Sequence, residues 1–76
     1  MKNWPIVQQT VASFFKIDPQ TITLQTSADD ISDWDSFSHM ELITSIEKQF
    51  QVNIPFDVLM DLNSLEDLVR YLDSQV

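Results

Sequence analysis

The chain has 76 residues, of which 43% are apolar, and its twelve acidic residues against four basic ones give a formal net charge of −8. This length predicts one small domain, residues 1–76, with a single core and no second lobe to enclose a deep catalytic cleft. The acidic balance excludes nucleic acid and anionic membrane surfaces as partners, because both bind clusters of Lys and Arg, and it favours basic partner surfaces.

Three absences narrow the possible classes further. The chain has no cysteine, which excludes a disulfide framework and a thiolate supplied by the protein itself. Its start, Met-Lys-Asn-Trp-Pro, lacks the apolar run of a signal peptide, and no apolar stretch reaches transmembrane length. We therefore expect a cytoplasmic binding or carrying module without membrane insertion, and not an enzyme.

The first predicted element is an amphipathic helix that opens at Asn3-Trp4-Pro5 and closes at Lys16. The fixed φ of proline suits the first helical turn. Asp18-Pro19 forbids continuation, because the residue before a proline is pushed out of the α region. The apolar stripe at helical spacing consists of Trp4, Val7, Val11, Phe14 and Phe15.

Residues 17–35 show no periodicity and predict a loop longer than compact domains usually contain without a functional or anchoring reason. Trp34 is expected to pack, and the apolar anchors of the loop are predicted to be Ile22, Leu24 and Ile31. Carboxylates crowd its end and suit the positive end of a following helix: Asp29, Asp30, Asp33 and Asp35. We predict no dedicated metal site, because the glycine turn and ligand spacing of a calcium loop are missing.

The central predicted element is a helix that begins at Asp35-Ser36-Phe37 and runs to about Gln51. At about 100° per residue, its core face occupies roughly a third of the circumference and contains Leu42, Ile43, Ile46 and Phe50. The opposite face carries Phe37, Met40, Glu41, Thr44 and Lys48. An aromatic side chain and a methionine on the solvent side, next to a serine, indicate a surface for a partner.

Ser36 allows two interpretations from the residues alone. Serine is a preferred N-cap, a role that contributes about 1 kcal/mol to helix stability. A hydroxyl at a helix N-terminus is also well placed to carry a phosphate, because the free N–H groups and the macrodipole favour negative charge there. His39 follows three residues later, but no acid is placed to orient its imidazole and the chain has no glycine for an oxyanion turn. We therefore predict no catalytic residue.

The rest of the chain predicts two further helices. Val52 and Ile54 are expected to seal the core before Pro55, and a short helix runs from Phe56 to about Asp61. The last helix begins at Ser64, where Asp67 would complete a capping box. Its apolar stripe is Leu65, Leu68, Val69 and Leu72. The predicted fold class is all-α, a bundle of three long helices and one short helix with a long first loop.

The run Asp35-Ser36-Phe37-Ser38-His39-Met40-Glu41-Leu42, continuing through Ile46-Glu47 and Phe50 to Ile54-Pro55, resembles the acyl carrier protein family over nearly the whole chain. The resemblance implies a small acidic four-helix bundle with 4′-phosphopantetheine bound covalently to Ser36, beside the signature residue Asp35. Cargo would be held as a thioester on the arm, while partner enzymes make and break all bonds.

The resemblance also implies the partners of a monomeric carrier. They would be a phosphopantetheinyl transferase and acyl-loading, condensing or acyl-transfer enzymes with basic docking patches. The residues expected to meet these partners are Phe37, Met40, Glu41, Thr44 and Glu47.

Two residues depart from the family pattern, while Trp34 and His39-Met40 resemble carriers from dedicated biosynthetic clusters. Phe37 replaces the usual leucine, and Asp33 stands where a glycine commonly precedes the aspartate. Residues 36–51 hold two acidic residues and one basic residue, Lys48, which leaves a net charge of −1. Housekeeping fatty-acid carriers have a strongly acidic version of this helix. The sequence is consistent with a role in fatty-acid biosynthesis and with a role in secondary-metabolite biosynthesis.

A different class of protein is also consistent with the residues taken alone. It is a non-carrying acidic helical interaction module, in which Phe37 and Met40 bind one partner and Ser36 only caps a helix. A hydrolase that uses Ser36 and His39 is a third class, and its activity would disappear on loss of either residue. An intact-mass measurement separates the carrier from the interaction module.

Overall fold

A computed structural model describes residues 1–75, which form four α-helices and two short 3-10 turns. The helices are α1 (Trp4–Phe15), α2 (Ser36–Phe50), α3 (Phe56–Met60) and α4 (Leu65–Gln75). The turns, Pro19–Thr21 and Ala28–Asp30, lie in the long segment between α1 and α2. This arrangement confirms the predicted all-α bundle of three long helices and one short helix. None of the helices formed by residues 1–75 has both the length and the apolar content needed to cross a bilayer.

The core draws on every helix because each one has an apolar stripe. On α2, the predicted core residues Leu42, Ile43 and Ile46 are at most 3% exposed, whereas Phe50 is half-buried. The other buried apolar side chains are Val7, Val11, Ala12 and Phe15 of α1, Leu59 of α3, Leu65, Leu68, Val69 and Leu72 of α4, and Ile22, Trp34 and Ile54 of the connecting segments. The long connection therefore contributes to the core as well as the helices.

Two helices end in a left-handed residue that is not glycine. Lys16 after α1 has φ 58° and Gln51 after α2 has φ 56°. Their backbone N–H groups donate to the carbonyl groups of Ala12 and Glu47, so they close the last helical turns. A left-handed conformation costs a non-glycine residue about 1–3 kcal/mol. The chain has no glycine, so lysine and glutamine take the conformation that glycine usually adopts at this place.

The segment between α1 and α2 is anchored to the core and also caps α4. Ile22 is 2% exposed, and Leu24 and Ile31 pack against the core, which confirms the predicted anchors. The carbonyl groups of Leu24 and Thr26 accept hydrogen bonds at 2.9 and 3.0 Å from the first N–H groups of α4, those of Glu66 and Leu65. The loop therefore fixes the position of α4, which sequence periodicity did not indicate.

The start of α4 differs from the predicted capping box. The Asp67 carboxylate accepts a hydrogen bond from the backbone N–H of Asn63 at 3.1 Å, one residue before the predicted cap at Ser64. The loop carbonyl groups already bind the N–H groups of Leu65 and Glu66. The helix begins at Leu65, directly after Ser64 as predicted, but the reciprocal hydrogen bonds of a capping box do not form among residues 63–67. Loop carbonyl groups, which the local sequence does not encode, bind the first two N–H groups of the helix instead.

Candidate functional site

The candidate site lies at the N-terminus of α2, and the residue that caps this helix is Asp35. Its backbone is extended, and its carboxylate accepts a hydrogen bond from the Ser38 backbone N–H at 2.8 Å. This hydrogen bond is the main reason that the pKa of Asp35 lies below its ordinary value of 3.8. The interpretation of Ser36 as the N-cap is therefore wrong by one residue: aspartate is an equally good cap, and it occupies that position.

Ser36 is the first residue of α2, and its side chain is exposed. Within residues 1–75, its hydroxyl makes no hydrogen bond. The Asp35 carboxylate is the group that accepts from the first turn of the helix, at the Ser38 N–H. The helix extends for 15 residues behind it, so the positive end of a sizeable macrodipole lies at this hydroxyl. Ser36 thus presents a free hydroxyl at the positive end of a helix, next to the carboxylate of Asp35.

The predicted outer face of α2 is exposed to solvent. Phe37 is 73% exposed and Met40 is 47% exposed, and Glu41 and Thr44 are exposed as well. The Thr44 hydroxyl donates to the Met40 carbonyl at 2.9 Å, so it is satisfied within its own helix. An exposed phenylalanine and methionine on one face have no packing role that would explain them.

Glu47, which was predicted to meet partners, also has a structural contact. It is half-buried, and its carboxylate accepts a hydrogen bond at 2.8 Å from the backbone N–H of Ile54. The contact joins α2 to the segment that precedes α3. A role of Glu47 in partner binding stays a prediction, but its charge is less available than that of Glu41, which is exposed.

The third helix adds apolar surface that the sequence analysis did not assign to the site. Phe56 is 69% exposed and Met60 is 67% exposed. Helix α3 has five residues and fully buries only Leu59, while Val58 is half-buried against the core and Phe56 and Met60 are left outside. The apolar residues on several faces of this short segment were the available signal. Met60 lies across from Ser36 and Met40, and together they line a groove between α2 and α3.

Trp34 and His39 form a hydrogen-bonded pair beneath this groove. The indole Nε1–H of Trp34 donates to Nδ1 of His39 at 3.1 Å, and the rings are stacked with an interplanar angle of 25°. Trp34 also contacts Phe15, with ring centroids 5.4 Å apart, and it is 8% exposed. The predicted packing role of Trp34 is confirmed. Because Trp34 occupies Nδ1 of His39, this nitrogen does not serve as a base for Ser36.

Two of the aspartates before α2 have separate structural contacts. Asp35 caps α2, and the Asp30 carboxylate accepts a hydrogen bond from the Ser27 backbone N–H at 2.9 Å. In the part of the chain that the structure describes, no group of three His, Asp or Glu side chains is placed to hold a metal ion. Asp30 therefore stabilises the loop, and Asp35 stabilises the helix end.

Comparison with known proteins gives three consistent results. The family model for the phosphopantetheine attachment site matches residues 5–72. The acyl carrier protein of Onion yellows phytoplasma is 32% identical over 66 residues, 87% of each chain, and that of Exiguobacterium sibiricum is 33% identical over 70 residues, 92% of this chain and 89% of the relative. The solution structure of a holo acyl carrier protein from Geobacter metallireducens has a TM-score of 0.88 and 32% identity, with 97% of this chain and 85% of that chain covered.

Proposed function

The chain belongs to the acyl carrier protein family, and on this premise we propose that Ser36 is the residue that bears its 4′-phosphopantetheine arm. Members of this family are carriers and not enzymes. The arm, when bound, supplies the thiol that holds acyl cargo as a thioester. The residues of this chain supply the attachment point and the surface that partner enzymes recognise.

The observation that carries the proposal is the free hydroxyl of Ser36. Asp35 caps α2 through the Ser38 N–H, so the fold does not depend on a hydrogen bond from Ser36. Attaching a phosphodiester to this oxygen would therefore break no contact within residues 1–75. The negative phosphate would lie at the positive end of α2, whose dipole favours an anion, while the Asp35 carboxylate beside it adds a repulsive charge. The exposed hydroxyl and the helix end both fit the group.

Loading measured by intact mass tests the proposal. Co-expression with a broad-specificity phosphopantetheinyl transferase in the presence of coenzyme A should add one phosphopantetheine to the protein. Ser36→Ala should abolish the addition while the variant stays folded. Ser45→Ala is the matched control, because Ser45 is another exposed serine of α2, and it should load normally. No addition by several unrelated transferases would contradict the proposal and favour the non-carrying interaction module.

We infer that Phe37 and Met40 fill an apolar pocket of the partner enzymes, with Glu41 and Thr44 beside them. The family works with phosphopantetheinyl transferases and with enzymes that load, condense or transfer acyl groups. The overall charge of −8 should steer such partners through basic patches around that pocket. The same charge opposes self-association, which supports a monomer.

We also infer a dedicated set of partners, from the charge that α2 presents to solvent. Its charged residues are Glu41, Glu47 and Lys48, and the Glu47 carboxylate already binds the Ile54 N–H. The exposed charges left on this helix are one negative, Glu41, and one positive, Lys48. An enzyme built for a strongly acidic helix would lose about 0.2–1 kcal/mol for each missing exposed pair. Lys48 would also repel its basic patch.

A further inference from the structure

Two cavities adjoin at the N-terminal end of α2. The outer groove is open, has a volume of about 430 Å³, and is lined on its solvent side by Ser36, Met40 and Met60. The inner cavity has a volume of about 60 Å³ and reaches the core at Ile43 and Leu68. The wall between them is formed by the residues that line both: Ala28, Trp34, His39 and Leu62.

The hydrogen-bonded pair of Trp34 and His39 fixes this wall. Trp34 is held between Phe15 and His39, and its indole N–H has His39 Nδ1 as its partner. Turning the indole aside to open the inner cavity would leave a buried donor without an acceptor, which is unfavourable. It would also disturb two aromatic contacts. The structure therefore keeps the inner cavity closed from the side of Ser36.

The inner cavity is too small for a long acyl chain. An apolar protein cavity of about 150 Å³ accommodates one benzene molecule, which has six carbons. By that comparison, a cavity of about 60 Å³ has room for two or three carbons. A longer chain that approaches the inner cavity from the side of Ser36 would have to displace the Trp34–His39 pair or stay in the outer groove.

We propose that Trp34 and His39 are positioning residues that hold the acyl cargo in the outer groove and out of the core, so that this carrier presents its cargo at the surface. The inference rests on the proposed attachment at Ser36 and deepens it by naming where the cargo lies and which residues keep it there. Two features of the groove support it. Met40 and Met60 offer flexible apolar walls. His39 is half-exposed and accepts at Nδ1, so its Nε2–H is the donor that a cargo oxygen would meet.

The test compares cargo lengths on the intact wild-type protein. A phosphopantetheinyl transferase would load it from acetyl, butyryl, octanoyl or dodecanoyl coenzyme A, and mass would verify each product. NMR would follow the Ile43 and Leu68 methyl groups of the inner cavity, the Met60 methyl group of the outer groove and the Trp34 indole N–H. Melting temperature would be measured in parallel.

We expect the Met60 signal to shift with every cargo. The Ile43 and Leu68 methyl groups and the melting temperature should be unchanged between the butyryl and dodecanoyl forms. Inner methyl signals that shift further with each longer chain, together with a rising melting temperature, would overturn the inference but leave the attachment intact. A protein that gains no mass from any of the four compounds would overturn the attachment at Ser36 and the inference with it.

A variant at the wall sharpens the test. His39→Ala removes the acceptor of Trp34 and part of the wall, so octanoyl and dodecanoyl cargo should now shift the Ile43 and Leu68 methyl groups. The control is Trp4→Phe, which changes the other tryptophan of the chain, a residue that lines neither cavity. It should reproduce the wild-type shifts. If His39→Ala is folded and its Ile43 and Leu68 methyl signals do not shift with octanoyl or dodecanoyl cargo, the proposed role of the pair is contradicted. If the variant does not fold, the wild-type series still decides the question.

Discussion

The two faces of α2 differ more than any other pair of surfaces described above. On one face, Leu42 and Ile46 are completely buried. On the other, Phe37 is 73% exposed and Met40 is 47% exposed. A single helix thus separates the residues that stabilise the fold from those proposed to bind partners. It follows that substitutions on one face should change stability and those on the other should change recognition.

The largest expected effect comes from the buried face. Leu42→Ala and Ile46→Ala should each lower the free energy of unfolding by about 2–5 kcal/mol, because each deletes a fully buried branched side chain and leaves a cavity. Urea denaturation measures this loss. The matched control is Thr44→Ala on the exposed face of the same helix, which should change the free energy by less than about 0.5 kcal/mol. Equal losses for all three variants would show that the two faces are not distinct.

The exposed face should respond in the opposite way. Phe37→Ala and Met40→Ala should leave the free energy of unfolding nearly unchanged and lower kcat/KM for the phosphopantetheinyl transferase by about fivefold or more, as expected for residues at the centre of an interface. Ile6→Ala is the control, because Ile6 is 44% exposed on α1, away from the site. If Phe37→Ala unfolds the protein, the assignment of the two faces is wrong.

A smaller effect is expected from the charge at the far end of the exposed face. Lys48→Glu should raise turnover by a housekeeping fatty-acid condensing enzyme by roughly twofold to fivefold at low salt, because it replaces a repulsive contact with an attractive one. Lys2→Glu makes the same change in net charge away from α2 and should have little effect. Equal turnover of the wild-type protein and a housekeeping carrier would contradict the proposal of a dedicated partner set.

The smallest effect concerns the cap of α2 and its dependence on pH. The Ser38 N–H lowers the pKa of Asp35 in the folded state, so the ionised carboxylate stabilises the fold above the ordinary value of 3.8. This contribution should be lost as the pH falls from 3.8 through the lower pKa of the folded protein. Melting curves across this range should show a steeper loss for the wild type than for Asp35→Asn, whose amide caps without titrating. An equal fall in melting temperature with pH for the wild type and Asp35→Asn would contradict the capping role of the ionised carboxylate.

The periodicity of the sequence predicted the two faces of α2 correctly, because burial follows the helical repeat. It did not identify the cap, since serine and aspartate are both good N-caps and adjacent positions cannot be distinguished locally. The contact of Trp34 with His39 joins a loop residue to a helix residue. The bond from Ile54 to Glu47 depends on how the chain turns after α2. These contacts depend on tertiary geometry, which a periodic pattern does not contain.

The exposed apolar residues of α3 show the same limit. Sequence analysis predicted a short helix from Phe56 to about Asp61, and the structure confirms it at Phe56–Met60. It could not tell which of the apolar side chains in this segment is buried, because five residues span little more than one turn. The packing of Leu59 decides this, and it leaves Phe56 and Met60 exposed, with Met60 lining the groove.

The central claim is that the exposed face of α2 begins with the attachment site, and locating the added group tests it most directly. The protein loaded with phosphopantetheine would be digested and fragmented in a mass spectrometer, so that the added mass is assigned to one of its eight serines. We predict that the group is found on Ser36 alone, the serine whose free hydroxyl opens α2. Assignment to Ser38, two residues further along the helix, or to any other serine would contradict the account.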